Sequence, residues 1–526
     1  MGNYVNPRNT SFRKAVHSDI YIDKTGLISV INAKVNKINC FFCVSRPRRF
    51  GKSMAADMLA AYYSRGCSSR ELFAGLEIEK DSSFLTHLNR HHVIRIDVQR
   101  FLETERDSDT FIAQIEQLVV EELLEQFPDC RGISPDSRLK TALNQIYKQK
   151  ETGFIFIIDE WDCVFRFAKT RRQKQKEYLD FLRGLFKGAE YVELAYMTGI
   201  LPIKKYGEHS ALNIFTEYSM TDSKNLGQYY GFTEKEVREQ CSRHDMPYAE
   251  VKKWYDGYVL DGLHIYNPKS VVDVLAFREF QSYWTGTETY EALKVYIDRN
   301  FDGLKEAVAV MLGNGRCKIN IRKFQNDMIT FTAKDDILTL LVHLGYLAYD
   351  KASQEVFIPN QEVAGEFLNA ADGPGWDGLA QALSQSEELL RCTWALDSDA
   401  VAKGIEAVHN MTASVIQYHN ENSLACTVLI AYYSAKAYYL DPLMEFPSGK
   451  GFADIVYLPR PGADCPALII ELKWDKSAKG ALEQIKNRSY AQWLEDYTGE
   501  ILLAGINYHV KRKEHSCVIE KHVKSL

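Results

Sequence analysis

The sequence predicts an α/β protein in three successive parts: a first part built on a parallel sheet, a helical and winged-helix-like middle, and a last α/β part. Three observations carry this. Residues 1–220 alternate short apolar runs with helix-like runs, the pattern of a parallel sheet covered on both faces. Residues 221–375 lose that alternation to charged helix and clustered aromatics. Residues 376–526 pass from helical sequence to apolar strands joined by turn-rich links.

The elements follow in order. "NCFFCVS", "HHVIRIDV", "GFIFIIDE" and "VELAYMTGI" are short, apolar and bounded by turns or charges, and are expected as strands. "FTEKEVREQCSRHD" places Thr233 as the N-cap of a charged helix. The aromatic segment "WYDGYVLDGLHIYNPKSVVDVL" follows, and "WYDGY" is expected to pack in a core or an interface. "KDDILTLLVHLGYLAYDKASQEVFIPNQEV" reads as a helix and two short strands, a winged-helix-like unit. "AADGPGWDG", residues 370–378, is the linker candidate, being rich in Gly and Pro. "GFADIVYL" and "PALIIELKW" form a hairpin through "PRPGADC". An amphipathic helix, "SAKGALEQIKNRSYAQWLEDY", and the strand "EILLAGINY" complete the pattern.

Length and composition set the bounds. At 526 residues the chain exceeds one ordinary core, since domains run to about 150 residues. Its charged fraction of 25% and apolar fraction of 46% are those of a globular protein. A net charge of -6 argues against general nucleic-acid affinity, so such binding requires a local patch. The N-terminal "MGNYVNPRNTSFRKAV" lacks the apolar stretch of a signal peptide, and no apolar run approaches a membrane span. Of eleven cysteines, Cys40 and Cys43 form the one close pair. On a strand they face opposite ways and read as ordinary buried thiols. The expectation is a reduced, cytoplasmic protein with no membrane partner.

The first chemical signal is "RPRRFGKS", which lies between an apolar strand and a helix-like run. It matches the phosphate-loop pattern G-x-x-x-x-G-K-[ST] except that Arg46 replaces the first Gly. Gly51 permits close backbone approach, Lys52 is placed to reach the β- and γ-phosphates of ATP, and Ser53 is placed to ligate Mg²⁺. Arg46, Arg48 and Arg49 either neutralise phosphate charge or pair with acids across the loop, and the sequence favours neither reading. The strand "GFIFIIDEWD" ends in Asp159-Glu160, the shape of a Walker B strand. Asp159 is expected to hold Mg²⁺ and Glu160 to polarise the attacking water. Thr198, in "LAYMTGI", is expected at the end of a neighbouring strand, where a γ-phosphate sensor sits. A strand-end carboxylate that caps a helix, and a threonine that is simply buried, remain the alternatives.

These segments together resemble a known family. "SRPRRFGKS", "IYIDKTGLI", "IIDEWD", "NIFTEYSM", "YYGFTEKEV" and "KKWYDGY…IYNPKSVV" are similar to the bacterial AAA-ATPase-like family, whose members commonly carry a C-terminal PD-(D/E)XK nuclease-like domain. The resemblance implies an AAA-type P-loop domain and a C-terminal restriction-endonuclease-like domain. It makes Arg46 a family trait and includes Phe50 in the nucleotide-binding loop. It also implies that Asp23, Lys24 and Thr25 belong to the nucleotide pocket.

The second signal lies in "GFADIVYLPRPGADCPALIIELKW". Asp454 begins one strand, and Glu471 and Lys473 are two apart on the next, so those two share a face. Two converging carboxylates make a hard-oxygen site for Mg²⁺ or Mn²⁺. A lysine beside them suits phosphodiester hydrolysis. A plain ion pair of Lys473 with Glu471 or Asp454 is the alternative. The resemblance to PD-(D/E)XK nucleases implies Asp454, Glu471 and Lys473 as the motif, with Ala453 where a Pro is usual. It adds Gln484 on the following helix and Glu421 on the preceding one, Glu421 as a further metal ligand.

Basic runs at "KTRRQKQK" and "KRKEH" meet phosphates or are solvated surface. The reading is therefore an ATPase whose nucleotide state controls a metal-dependent nuclease-like domain, acting on DNA ahead of RNA. The alternative is a nucleotide-dependent switch or a nucleic-acid- or protein-binding module with an inactive nuclease-like domain. A simple P-loop kinase does not account for the second acidic site. Homo-oligomer formation is left open.

Overall fold

The structure is a computed structural model. It describes every residue except 1, 105–109, 168–171, 204–211, 285–292, 294–295, 298–300, 302, 325–330, 332, 371–376, 414–420, 441, 449–450, 488–496, 498 and 523–526. The chain divides into two compact units: residues 1–284 with 320–354, and residues 285–319 with 355–526.

The first unit holds a parallel sheet of β1 (Phe41–Ser45), β2 (His92–Asp97), β3 (Phe154–Asp159), β4 (Val192–Gly199) and β5 (Thr216–Tyr218), in the order β2-β3-β4-β1-β5. Every residue of β3 is buried, as its unbroken apolar run requires of a strand covered on both faces. Because all five strands run the same way, their carboxyl ends share one edge, where ligands of open α/β sheets bind. The register sets Asp97 beside Asp159 and Thr198 beside Val44.

Helices α1 (Thr10–Val16), α2 (Gly26–Asn32) and α3 (Lys52–Tyr63) precede β2. Helix α3 turns Ala55, Ala56, Ala60 and Ala61 into the core with Leu59, Tyr62 and Tyr63. Those alanines give close helix–sheet packing. Ile155, Ile157, Leu194 and Tyr196 meet them from the sheet. Each fully buried aliphatic there contributes about 1.5–3 kcal/mol.

After β5 comes a small antiparallel sheet, β6 (Phe232–Thr233), β7 (Tyr258–Leu260) and β8 (Leu263–Tyr266), ordered β6-β8-β7. Thr233 caps the helix Glu234–Arg243 in a capping box with Glu236. Asn267 caps Pro268–Phe277, its side chain accepting from Lys269 N at 2.9 Å. Further on lie β9 (Cys317–Lys318), the helix Lys334–Leu344, β10 (Ala348–Asp350) and β11 (Glu355–Phe357).

The second unit centres on β12 (Leu443–Ser448), β13 (Gly451–Tyr457), β14 (Ala467–Trp474), β15 (Ile501–His509) and β16 (Glu514–Lys521), in sequential order. All pairs are antiparallel except β14 with β15, which run parallel and are bridged by the helix Ala478–Asn487. Ala467, Ile469, Leu482, Ile485, Ile501 and Leu503 fill the space between helix and sheet. Helices Asp377–Trp394, Ser398–Thr412 and Glu421–Ala431 precede the sheet. The core of the expected linker, 371–376, lies outside the described residues, as do Lys169, Thr170 and Arg171 of the first basic run. Lys511, Arg512 and Lys513 form the exposed turn between β15 and β16. No described helix is long and apolar enough to cross a membrane.

Candidate functional site

The first cluster forms where β1 and β3 end. Gly51, at φ 84°, turns the loop into α3, so Lys52 is the helix's first residue and its N-terminal N–H groups face the loop. Lys52 is only 4% exposed. Its Nζ donates to Pro47 O at 3.0 Å and stands 3.9 Å from Glu160 Oε1. Burial pulls the ammonium's pKa down, while Glu160, Asp159 and Asp162 oppose that pull. The Ser53 hydroxyl hydrogen-bonds the Asp159 carboxylate. Burial pushes Asp159 up to about 6, against the Ser53 hydrogen bond, with Glu160 adding to the rise.

Glu160 sits just past the strand in left-handed backbone, φ 52°. Burial raises its pKa, but Lys52, Arg166 and Arg48 together bring it below the ordinary value. Its Oε2 is ion-paired with Arg166 Nη2. Thr198 is fully buried at the end of β4; its Oγ1 makes no hydrogen bond among the described residues, and its carbonyl accepts from Trp161 N at 3.0 Å.

The loop arginines separate. Arg46, expected among the nucleotide-binding side chains, is fully buried. Its Nη1 donates to Ser45 O and Tyr218 O, both at 2.8 Å, and the guanidinium lies 5.2 Å from the Tyr230 ring centroid. Burial lowers its pKa to about 10. The last carbonyl of the short β5, at Tyr218, thereby gains a donor. Phe50 is likewise buried: its ring meets Tyr258 edge-on at 5.3 Å, and its carbonyl accepts from Gly231 N at 3.1 Å. Its side chain anchors the loop against Tyr258. Tyr258 of "WYDGY" is thereby a packing residue. Arg48 is half-buried and acts electrostatically on Glu160, and Arg49 is half-buried in left-handed backbone at φ 69°.

Asp23, Lys24 and Thr25 bond to protein. Asp23 accepts from Thr25 N at 2.8 Å and Glu77 N at 2.7 Å, and Lys24 Nζ binds Glu236 and Gln228 O at 2.7 Å. They tie the chain ahead of α2 to the capped helix at Thr233.

Two residues of the cluster escaped the sequence reading. Asp97 closes β2 beside Asp159, and burial raises its carboxyl's pKa. It ends an apolar strand just as Asp159 does, so the same signal was present. Arg166 carries no motif; its place follows from the tight turn after β3.

The second cluster lies on β13 and β14. Ile455 pairs with Ile470 and Val456 with Ile469, so the next step sets Asp454 opposite Glu471 on one face. Asp454 Oδ2 accepts from Leu472 N at 2.6 Å. Lys473 Nζ donates to Glu471 Oε1 at 2.8 Å and Leu472 O at 3.0 Å. Gln484 Nε2 also donates to Glu471 Oε1. Asp454, Glu471, Lys473 and Gln484 are therefore brought together, and the ion pair named as an alternative is present. The side chain of Glu421 lies outside the described residues.

The first cluster offers hydroxyl and carboxylate oxygens and the second a pair of carboxylates, donors that suit Mg²⁺ or Mn²⁺. No group of three or more His, Cys, Asp or Glu among the described residues forms an all-side-chain cage.

Residues 10–207 match the family described as "Predicted AAA-ATPase", and residues 419–517 match the PD-(D/E)XK nuclease superfamily. The two clusters fall inside these two stretches. An Azotobacter chroococcum protein, "Uncharacterized protein in vnfD 5'region", is 27% identical over 279 residues. The alignment covers 51% of each, so the chain spans about half the length of that curated relative. Among solved structures, the Aeropyrum pernix ORC2 protein in ADPNP and ADP complexes aligns at 11% identity over 68% of this chain and 98% of that one. Its TM-score of 0.24 is too low for any inference about fold.

Proposed function

Because the chain carries an AAA-ATPase-like domain at residues 10–207 and a PD-(D/E)XK nuclease superfamily domain at 419–517, we propose that it binds and hydrolyses ATP and that its nucleotide state controls phosphodiester cleavage of DNA, or secondarily RNA. The observation that supports this most is the convergence of Lys52, Ser53, Asp159 and Glu160 where β1 and β3 end.

Lys52 leaves Pro47 O for the β- and γ-phosphate oxygens, and the first N–H groups of α3 bind the same charge. Arg48 adds positive charge from the loop, with Arg49 beside it. Ser53 and Asp159 would hold Mg²⁺. Glu160 orients a water whose oxygen bonds to the γ-phosphorus as the bridging P–O bond breaks. The bond's electron pair leaves on ADP, and the water's proton passes through Glu160 to phosphate or solvent. Thr198 donates its unbonded hydroxyl to a γ-phosphate oxygen.

In the C-terminal domain Asp454 and Glu471 would hold Mg²⁺ or Mn²⁺, and Gln484 orients Glu471. Lys473 moves from Glu471 to the phosphate, where it stabilises the added negative charge. When bound, the ion at either site supplies positive charge to phosphate oxygens and acidifies water.

The alternative is a nucleotide-dependent switch whose nuclease-like domain only holds a nucleic acid or protein partner. The closed Lys473–Glu471 pair favours it, because an inactive domain keeps such a pair for stability. One assay separates the two: labelled DNA and RNA with the full chain, with and without ATP, in Mg²⁺, Mn²⁺ or EDTA. Metal-dependent cleavage that ATP alters supports the first reading. ATP-sensitive binding without turnover in any metal selects the second.

A further inference from the structure

The phosphate-loop cluster contains one buried cation that ATP hydrolysis, as outlined, does not use. Arg166 lies on the short helix Cys163–Phe167, and its side chain is 10% exposed. Nη2 ion-pairs Glu160 Oε2, and Nε stands 3.3 Å from Asp162 Oδ2. Asp162 is fully buried and accepts from Ile200 N at 3.2 Å and Leu201 N at 2.9 Å, just beyond β4. A connected chain therefore runs from the exit of β4 through Asp162 and Arg166 to Glu160.

Glu160 has need of such a hold. Its backbone is left-handed, a conformation that costs a non-glycine residue about 1 kcal/mol or more and persists only where the surroundings fix it. Its two oxygens are also unequal: Oε2 is held by Arg166, while Oε1 stands 3.9 Å from Lys52. Lys52 is the residue that turns to phosphate, so Oε1 is the oxygen released when a nucleotide arrives.

We propose that Arg166, anchored by Asp162, is a positioning residue for ATP hydrolysis: it holds Glu160 by Oε2 and so presents Oε1 to the attacking water. The proposal rests on the ATP-hydrolysis reading above. Arg166 is not assigned to the nucleotide itself, because its fork is already shared between two carboxylates. The fork geometry matters, since a lysine ammonium cannot span both acids in the same way.

The test compares the full chain with Arg166→Gln and Arg166→Lys. Turnover is measured with ATP, affinity is measured separately by equilibrium titration with a fluorescent ATP analogue, and folding is checked by thermal denaturation. An ångström-scale misplacement of a catalytic group costs about 100-fold in rate. The expected result for Arg166→Gln is a kcat lowered about 10- to 100-fold at an affinity within about 2-fold of the parent, with Arg166→Lys in between. Parental kcat in Arg166→Gln overturns the proposal, as does a parallel fall of kcat and affinity in both variants. If the glutamine variant does not fold, the lysine variant decides alone: lowered kcat at parental affinity supports the proposal, and parental kcat overturns it. A parent that binds nucleotide but never turns it over removes the hydrolysis reading and this proposal together. An active parent with an equally active Arg166→Gln removes this proposal only.

Discussion

Gly505 on β15 stands in register with Glu471 on β14, and the absence of a side chain at Gly505 is what lets the Gln484 helix reach Glu471. A Cβ at Gly505 would lie 2.3 Å from Ala478 O and 2.9 Å from Leu482 N, both backbone atoms of that helix. Neither can move without shifting the whole helix. The second cluster thus depends on a residue that touches none of its chemistry.

Gly505→Ala is expected to destabilise the second unit by about 1–3 kcal/mol, the usual cost of overpacking. Gly365→Ala, in the helix Gln361–Ala370 with nothing within 4 Å of the new Cβ, serves as the control. It is expected to be neutral or stabilising by about 0.5–1 kcal/mol. Urea unfolding of both variants checks this, and equal midpoints would remove the close-approach explanation.

Lys52→Ala and Glu160→Gln are expected to fail at different steps. Removing Lys52 takes away a phosphate ligand, so nucleotide binding itself is lost. Glu160→Gln puts a carboxamide in the same space and removes the proton acceptor together with the charge that faces Arg166 and Lys52. Binding should persist while turnover drops about 100-fold or more. Equilibrium nucleotide binding beside steady-state turnover separates the two, and parental turnover in Glu160→Gln would exclude Glu160 as the water-orienting group.

Asp454→Asn and Lys473→Ala bear on the second cluster alone. Metal-dependent cleavage of labelled nucleic acid is expected to vanish in both, with ATP turnover at parental levels. Cleavage that survives both substitutions would place any nuclease activity elsewhere.

The parts legible in the sequence were those set by local chemistry. Strands β1 to β4 announce themselves because a strand covered on both faces carries a near-continuous apolar run. The Asp454–Glu471 pairing followed from a hairpin, where the turn fixes register. Strand β5 was missed because Thr216, Glu217 and Tyr218 are all half-buried and carry no apolar signal. The packing of Arg46 was not legible because its partners, Tyr218 O and Tyr230, are remote in sequence and only folding brings them to the loop. Arg166 and Gly505 were illegible for the same reason: one depends on the exit of β4, the other on the backbone of a neighbouring helix.

Two desolvated histidines, buried His343 and half-buried His92, give the first unit a predictable acid sensitivity. Burial, with Arg46 adding to it, lowers His343 to about 3; burial and then Arg65 lower His92 to about 4. The sign follows from proton counts. In the unfolded chain each imidazole takes up a proton near pH 6.5, whereas in the folded unit it does so only near pH 3 or 4. Between those values the unfolded state binds more protons, so stability rises with pH and is lost as pH falls. His343→Gln removes one such group and should flatten the loss below pH 6 or so. Urea unfolding midpoints from pH 7 down to about 4.5 measure the slope in parent and variant. A parental slope in a folded His343→Gln would show that this imidazole takes up its proton at the same pH in the folded and unfolded chains.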